Sequence, residues 1–167
     1  PAVGAHVLVV IGDRDLASRM TDDLHGAAYR VTSTGSGQRA LAVARSDRPA
    51  VVLLDVDLVD EPDGHAVCRR LKSDPALADI PVVLVASHAS TVDRMAGFAL
   101  GADDYLTKPV QAVEMLLRVR WMLMRPKGDR QPPPRAGGGL MTSDAFVAAA
   151  RDVLRMGPAA LGLIRVA

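Results

Sequence analysis

PAVVLLDVDL, residues 49–58, is the stretch on which the reading of the fold turns. Four apolar residues, Val51 to Leu54, run without interruption into a carboxylate, Asp55. A strand that is apolar at every position is buried on both faces, as a central parallel strand covered by crossover helices must be. Ligands of such open sheets bind beyond the carboxyl ends of the strands, near the point where strand order reverses. Asp55 therefore stands where chemistry is expected.

Outward from this strand, short Val- and Leu-rich runs alternate with stretches of helical periodicity. His6 to Ile11 is the first run. Leu16, Met20 and Leu24 recur every four residues and predict a helix from Asp15 to His25 with one apolar face. Tyr29 to Thr32 reads as a short second strand and Gln38 to Arg45 as a second helix, its end assigned to the extended bias that Pro49 imposes on the residue before it. The acidic loop DVDLVDEPDG (55–64) leads to a helix from His65 to Lys72, and SDPALADI (73–80) turns the chain into a strand from Pro81 to Val85. Thr91 to Leu100 is predicted as a fourth helix with Gly101 as its left-handed cap. Asp104 to Leu106 is the fifth strand and Gln111 to Arg125 the closing helix. Five strand and helix pairs imply a doubly wound parallel sheet with right-handed crossovers. The residues just after its strands are Ile11, Gly12 and Asp13, then Asp55, then Ala86 and Ser87, and finally Thr107, Lys108 and Pro109.

The domain organisation follows from a change in composition. Residues 1–125 make one α/β domain. PKGDRQPPPRAGGG, residues 126–139, mixes prolines and glycines with no periodic apolar positions and reads as a linker. In residues 140–167, Phe146, Ala150 and Leu154 give helical periodicity and Ala160 to Val166 suggests a strand. Those 28 residues cannot enclose a core alone, so they are a partial output domain or an extension docked on the first domain.

Composition excludes several function classes. With 49% hydrophobic residues and 23% charged, a packed soluble core is expected rather than disorder. Only 3% are aromatic, too few for a base-stacking platform, and a net charge of +1 gives no overall pull toward nucleic acid or an anionic membrane. The one cysteine, Cys68, lies in HAVCRRL and reads as a small apolar helix residue rather than a reactive thiol. No apolar run is long enough to span a bilayer, and no basic segment followed by an apolar one opens the chain, so a cytoplasmic protein is expected.

The blocks PAVVLLDVDL, IPVVLVAS and above all GADDYLTKPV followed by VEMLLRVRWML resemble the receiver domains of bacterial response regulators, over residues 5–125. The resemblance implies the flavodoxin-like five-stranded receiver fold. It implies that Asp55 is a phosphoacceptor taking a phosphoryl group from a histidine kinase, with Lys108 pairing Asp55 when free and the phosphate when loaded. It also implies a cis peptide bond before Pro109, a switch hydroxyl after the fourth strand, and a rotating aromatic at Tyr105 that swings inward as that hydroxyl engages phosphate. The chain would then be a signalling module, not an enzyme.

Three positions depart from the family pattern. The two acidic residues that follow the first strand and help to hold Mg²⁺ correspond here to Ile11 and Gly12. Asp13 falls one place late and would reach the site only through a slipped turn, leaving Asp55, the backbone of Asp57 and water as oxygen ligands. Mg²⁺ demands near-octahedral oxygen ligation, so binding is expected to be weak or absent. The switch hydroxyl falls at Ala86, which cannot donate to phosphate. Ser87 beside it is expected to point to the opposite face if the strand continues, because side chains alternate along a strand. The loop after Asp55 is one residue longer than the pattern, and its Asp57, Asp60, Glu61 and Asp63 read as a solvated acidic loop rather than a relocated cation site.

These departures favour a degenerate pseudo-receiver, phosphorylated poorly or not at all, that works by docking to a signalling partner or by homodimerisation through the fourth helix, fifth strand and fifth helix. The alternative is an ordinary phospho-switch with a diguanylate-cyclase-like output, since GLMTSDAFVAAARDVLRMGPAALGLIRVA weakly resembles the opening of a GGDEF domain; a generic amphipathic helix and strand explains the same residues as well. A flavin carrier would need a phosphate-binding loop that IGDRDL does not provide. Direct DNA binding would need a complete helix-turn-helix domain after the linker.

Overall fold

A computed structural model of the chain describes residues 4–88 and 90–125. Five strands and five helices alternate through them: β1 (His6–Val10), α1 (Arg14–Gly26), β2 (Arg30–Thr34), α2 (Gly37–Asp47), β3 (Val51–Asp55), α3 (Gly64–Ser73), β4 (Val82–Ala86), α4 (Thr91–Ala99), β5 (Asp104–Thr107) and α5 (Ala112–Met124). The sheet is parallel throughout, in the order β2-β1-β3-β4-β5. The chain leaves β1 toward one edge and returns at β3 on its other side, so strand order reverses between β1 and β3. That reversal puts the ends of β1 and β3 side by side.

Alternation along the strands sorts the interior into two layers. Leu8, Val10, Val52, Leu54 and Leu84 meet Ala40, Leu41, Val67 and Leu71 of α2 and α3. Val7, Val9, Leu53, Val83 and Leu106 meet Leu16, Met20 and Leu24 of α1 and Met115 and Val119 of α5. The four-residue apolar recurrence in α1 is thus the stripe that seats it on the sheet. Cys68 lies wholly buried in the first layer, and burial pushes its thiol pKa up to about 11, which keeps it protonated. Helix α4 seats far less of itself: Gly97 is buried, while Val92 and Met95 are 74% and 66% exposed.

Several expected boundaries move. The second strand runs over Arg30–Thr34 rather than Tyr29 to Thr32, because RVTST lies at the sheet edge with no apolar alternation to mark it. Helix α2 continues to Asp47, and Arg48 before Pro49 is left-handed (φ 45°, ψ 67°) rather than extended. The α-helix ends there by a left-handed cap, and the Arg48 guanidinium donates to the carbonyl of Ala76. Gly101 has the positive φ expected of it, +92°, directly after α4. The linker and the helix and strand expected over 140–167 lie outside the described residues. Among the described residues no helix is long and apolar enough to cross a membrane.

Candidate functional site

Strand β3 carries Asp55 to the carboxyl edge of the sheet, where its side chain is almost enclosed, the residue being 2% exposed. A carboxylate so placed requires a partner. Lys108 supplies it from the end of β5: its ammonium lies 2.9 Å from both Asp55 oxygens. The backbone holds Lys108 in register, since its N–H donates to the Ala86 carbonyl at 2.8 Å, and the peptide bond between Lys108 and Pro109 is cis. Asp55 Oδ1 also accepts the Asp57 N–H at 2.9 Å. The chain turns beneath Asp55 so closely that Gly64 cannot be replaced freely: a Cβ there would overlap the Asp55 carbonyl and lie 2.6 Å from the Val56 Cα.

The β1 side of the same edge is built differently. Ile11 is 2% exposed and packs into the layer beneath α1 and α5, so its position serves the core. Gly12 is exposed and has no donor atoms in a side chain. Asp13 caps α1, its Oδ1 accepting the N–H groups of Asp15 and Leu16 at 2.9 and 3.0 Å. Those two N–H groups need an acceptor, since the first turn of a helix has none of its own. The Leu16 N–H bond is foremost in holding the Asp13 pKa below the usual carboxylate range, against some opposition from burial. Asp63, one of the acidic-loop residues, is used in the same way at α3, accepting from Ala66 N at 2.8 Å.

Residues present here do not fit magnesium. An ion of that kind takes close to octahedral oxygen ligation from carboxylates, carbonyls and water. Positions 11 and 12 offer no side-chain oxygen, Asp13 gives Oδ1 to its helix while lying within electrostatic reach of Lys108, and both oxygens of Asp55 face Lys108. Among the described residues no three His, Cys, Asp or Glu side chains are grouped so as to hold a metal ion.

Beside Asp55, Ser87 faces the site. Strand β4 ends at Ala86, so the alternation that would turn Ser87 away does not reach it. Instead the Ser87 N–H and hydroxyl both donate to Asp57 Oδ2, at 3.2 and 2.9 Å. The same oxygen lies 3.5 Å from the Lys108 ammonium. Asp57 thus enters the site by its carboxylate, whereas in the sequence its backbone was the expected ligand and its side chain part of a solvated acidic loop. Burial alone would raise the Asp57 pKa, but the Ser87 hydroxyl and amide and the Lys108 ammonium outweigh it and hold the group below the usual carboxylate range.

Tyr105 on β5 is 8% exposed and packs in the layer that contains Ala86 and Leu84. Its hydroxyl donates to the His88 carbonyl at 2.9 Å, and the Arg94 guanidinium carbon lies 6.0 Å from its ring centroid. Gly97 of α4 faces the ring; a Cβ there would lie 3.6 Å from two ring carbons and crowd Leu84. The sequence reading also missed two buried ion pairs near this face. Arg118 of α5 grips Asp104 through one nitrogen at 2.8 and 2.6 Å and reaches Glu114, and Lys72 of α3 reaches Asp103 at 2.8 Å. These pairs tie β5 and the turn before it to the neighbouring helices.

Comparisons with known proteins agree with this geometry. The family model of the response regulator receiver domain matches residues 7–120. The chain is similar to the DNA-binding dual master transcriptional regulator RpaA of Synechocystis, with 37% identity over 119 residues, covering 71% of this chain and 49% of that protein. It is 40% identical over 114 residues to the response regulator PleD of Caulobacter vibrioides, covering 68% of this chain and 25% of that one. The chain therefore spans half or less of the length of these curated relatives. Among solved structures it resembles the BeF3-activated N-terminal receiver domain of Klebsiella pneumoniae RstA, with a TM-score of 0.66, 28% identity, and coverage of 72% of this chain and 99% of that one.

Proposed function

Because the chain belongs to the response regulator receiver domain family of two-component signalling, we propose that it is an atypical member, a pseudo-receiver that acts through protein contacts with weak or no phosphorylation of Asp55. The observation that carries this reading is the division of the pocket. Asp55 and Lys108 are paired at 2.9 Å, yet the β1 side provides a core residue, a glycine and a helix cap where cation ligands are needed. Moving a phosphoryl group onto a carboxylate brings negative charges together, and the protein's part is to position the groups and neutralise that charge. Lys108 is a single ammonium already set against Asp55 and close to Asp57. It must serve all of that charge, so transfer is slow and Mg²⁺ weakly held or unused.

The partner class is a histidine kinase or another signalling protein, and a second copy of this chain is the partner proposed for the face formed by α4, β5 and α5. Val92, Met95 and Val113 stand exposed on those two helices. On this reading the chain carries no catalytic output of its own and does not itself contact nucleic acid or a membrane; it works in the cytoplasm.

A second reading, an ordinary phospho-switch driving a diguanylate-cyclase-like output, is favoured by the intact Asp55 and Lys108 pair. One experiment separates them: the full chain is incubated with Mg²⁺ and acetyl phosphate, and intact-mass and peptide analysis follow Asp55. The pseudo-receiver reading expects little or no phosphoryl adduct. Rapid stoichiometric labelling at Asp55 establishes the phospho-switch instead.

A further inference from the structure

Three donors converge on one oxygen beside Asp55. The Ser87 N–H and hydroxyl donate to Asp57 Oδ2 at 3.2 and 2.9 Å, and the Lys108 ammonium lies 3.5 Å from it. An amide N–H, a hydroxyl and an ammonium pointing at one place form a subsite for an oxyanion. The occupant of that subsite is a carboxylate of the chain itself, on a residue that is otherwise exposed. Two carboxylates, Asp55 and Asp57, then share one ammonium.

The contact reaches further than the pocket. Ser87 is the first residue beyond β4, and the carbonyl of the next residue, His88, accepts the Tyr105 hydroxyl at 2.9 Å. Tyr105 lies under Gly97 of α4 and within 6.0 Å of the Arg94 guanidinium carbon. A line of hydrogen bonds therefore joins the loop after β3, the turn after β4 and the aromatic ring beneath α4. No hydroxyl is supplied by Ala86 at the end of the strand. The oxygen that fixes the turn comes from Asp57 instead.

We propose that Asp57 is the resident ligand of the oxyanion subsite formed by Ser87 and Lys108, and that this occupancy holds the Ser87 and His88 turn, and with it the inward position of Tyr105, without a phosphoryl group. Asp57 is on this account a positioning residue for the α4 and β5 face. An incoming phosphoryl group on Asp55 would meet these donors already engaged, so the inference deepens the pseudo-receiver reading and rests on it for its biological sense.

The test uses the full chain labelled with ¹³C in tyrosine and ¹⁵N throughout, with no phosphodonor or Mg²⁺ present. In the wild-type protein, through-space contacts between the Tyr105 ring and the Gly97 α-protons are expected, together with slow hydrogen exchange at the Ser87 amide. In Asp57→Ala, that amide is expected to exchange at least about tenfold faster and the ring contact to weaken or vanish. Ser87→Ala, which keeps the amide donor but loses the hydroxyl, should fall between the two. Asp57 is half exposed, so the variant keeps its fold, and an unchanged circular dichroism spectrum verifies that. Unaltered Tyr105 contacts and Ser87 exchange in a folded Asp57→Ala protein overturn the proposal. The two readings fail separately: phosphorylation of Asp55 in the wild type removes the pseudo-receiver assignment, whereas the Asp57 result is read on protein that has met no phosphodonor.

Discussion

In one half of the pocket, β3 and β5 deliver a buried carboxylate and an ammonium that meet at 2.9 Å. In the other half, β1 delivers Ile11 to the core and Gly12 to solvent, and the next residue caps a helix. Both halves lie at the carboxyl edge of the same sheet, where the fold gathers whatever follows each strand. The difference shows that the scaffold supplies the location and the individual side chains supply the chemistry. Ile11 suits a parallel sheet with two filled layers, because it adds buried apolar surface where a carboxylate would require a counter-ion.

The widest contrast between the halves is energetic. Lys108→Met takes from Asp55 the ammonium that contacts both its oxygens, and removing one partner of a buried ion pair costs about 3–5 kcal/mol. Urea denaturation is expected to show a loss of that size, largely recovered in the double variant Asp55→Asn with Lys108→Met. A loss below about 1 kcal/mol would mean that the pair behaves as a solvent-exposed one. Next in size is Gly64→Ala, where the added methyl overlaps the Asp55 carbonyl. The expected loss is about 1–3 kcal/mol, with disturbed amide resonances from Asp55 to Asp57; neutrality would show that the loop relaxes without effect on the site.

On the β1 side the corresponding change should be milder and confined to a helix. Asp13→Ala removes two cap bonds and is expected to cost about 1 kcal/mol, with the Asp55 and Lys108 resonances unmoved. Movement of those resonances would place Asp13 in the pocket. The smallest effect is a pH dependence away from both halves. His6 is buried beneath the sheet edge with Nε2 2.9 Å from Thr32 Oγ1. Burial first, and then the nearby Arg30, lower its pKa, with Asp47 opposing. The unfolded chain therefore takes up the proton at a higher pH than the folded one, so stability is full above about pH 6.5 and falls as pH drops from there toward the lowered folded value. Denaturation midpoints of wild type and His6→Gln should run parallel above about pH 6.5, and the wild type should lose stability relative to the variant as pH drops below it; curves parallel over the whole range would remove His6 from the acid response.

How much of this was legible in the sequence depended on what each residue does locally. Val51 to Leu54 and Val82 to Val85 announced themselves because continuous apolar runs have few alternatives at that length. RVTST did not, since an edge strand exposed at several positions carries no such mark. In the site, Asp55 was legible by its position at the end of an apolar strand, and its pairing with Lys108 was implied by the family resemblance. Ser87 was expected to turn away only if the strand continued past Ala86, and β4 ends there. The Asp57 carboxylate was assigned to a solvated acidic loop, because its contact with Ser87 is set by the turn after β3 and not by strand alternation. Arg48 before Pro49 shows a third kind of miss, a left-handed cap where local sterics favour extended backbone.

On the proposed reading, the acidic ligands of a divalent cation are missing around the Asp55 and Lys108 pair. The most direct test of that reading is calorimetric titration of Mg²⁺ into the full chain, with Asp55→Asn as the reference. The account predicts no saturable heat up to about 10 mM ion and indistinguishable traces for the two proteins. A saturable isotherm at submillimolar Mg²⁺ that disappears in Asp55→Asn would contradict it.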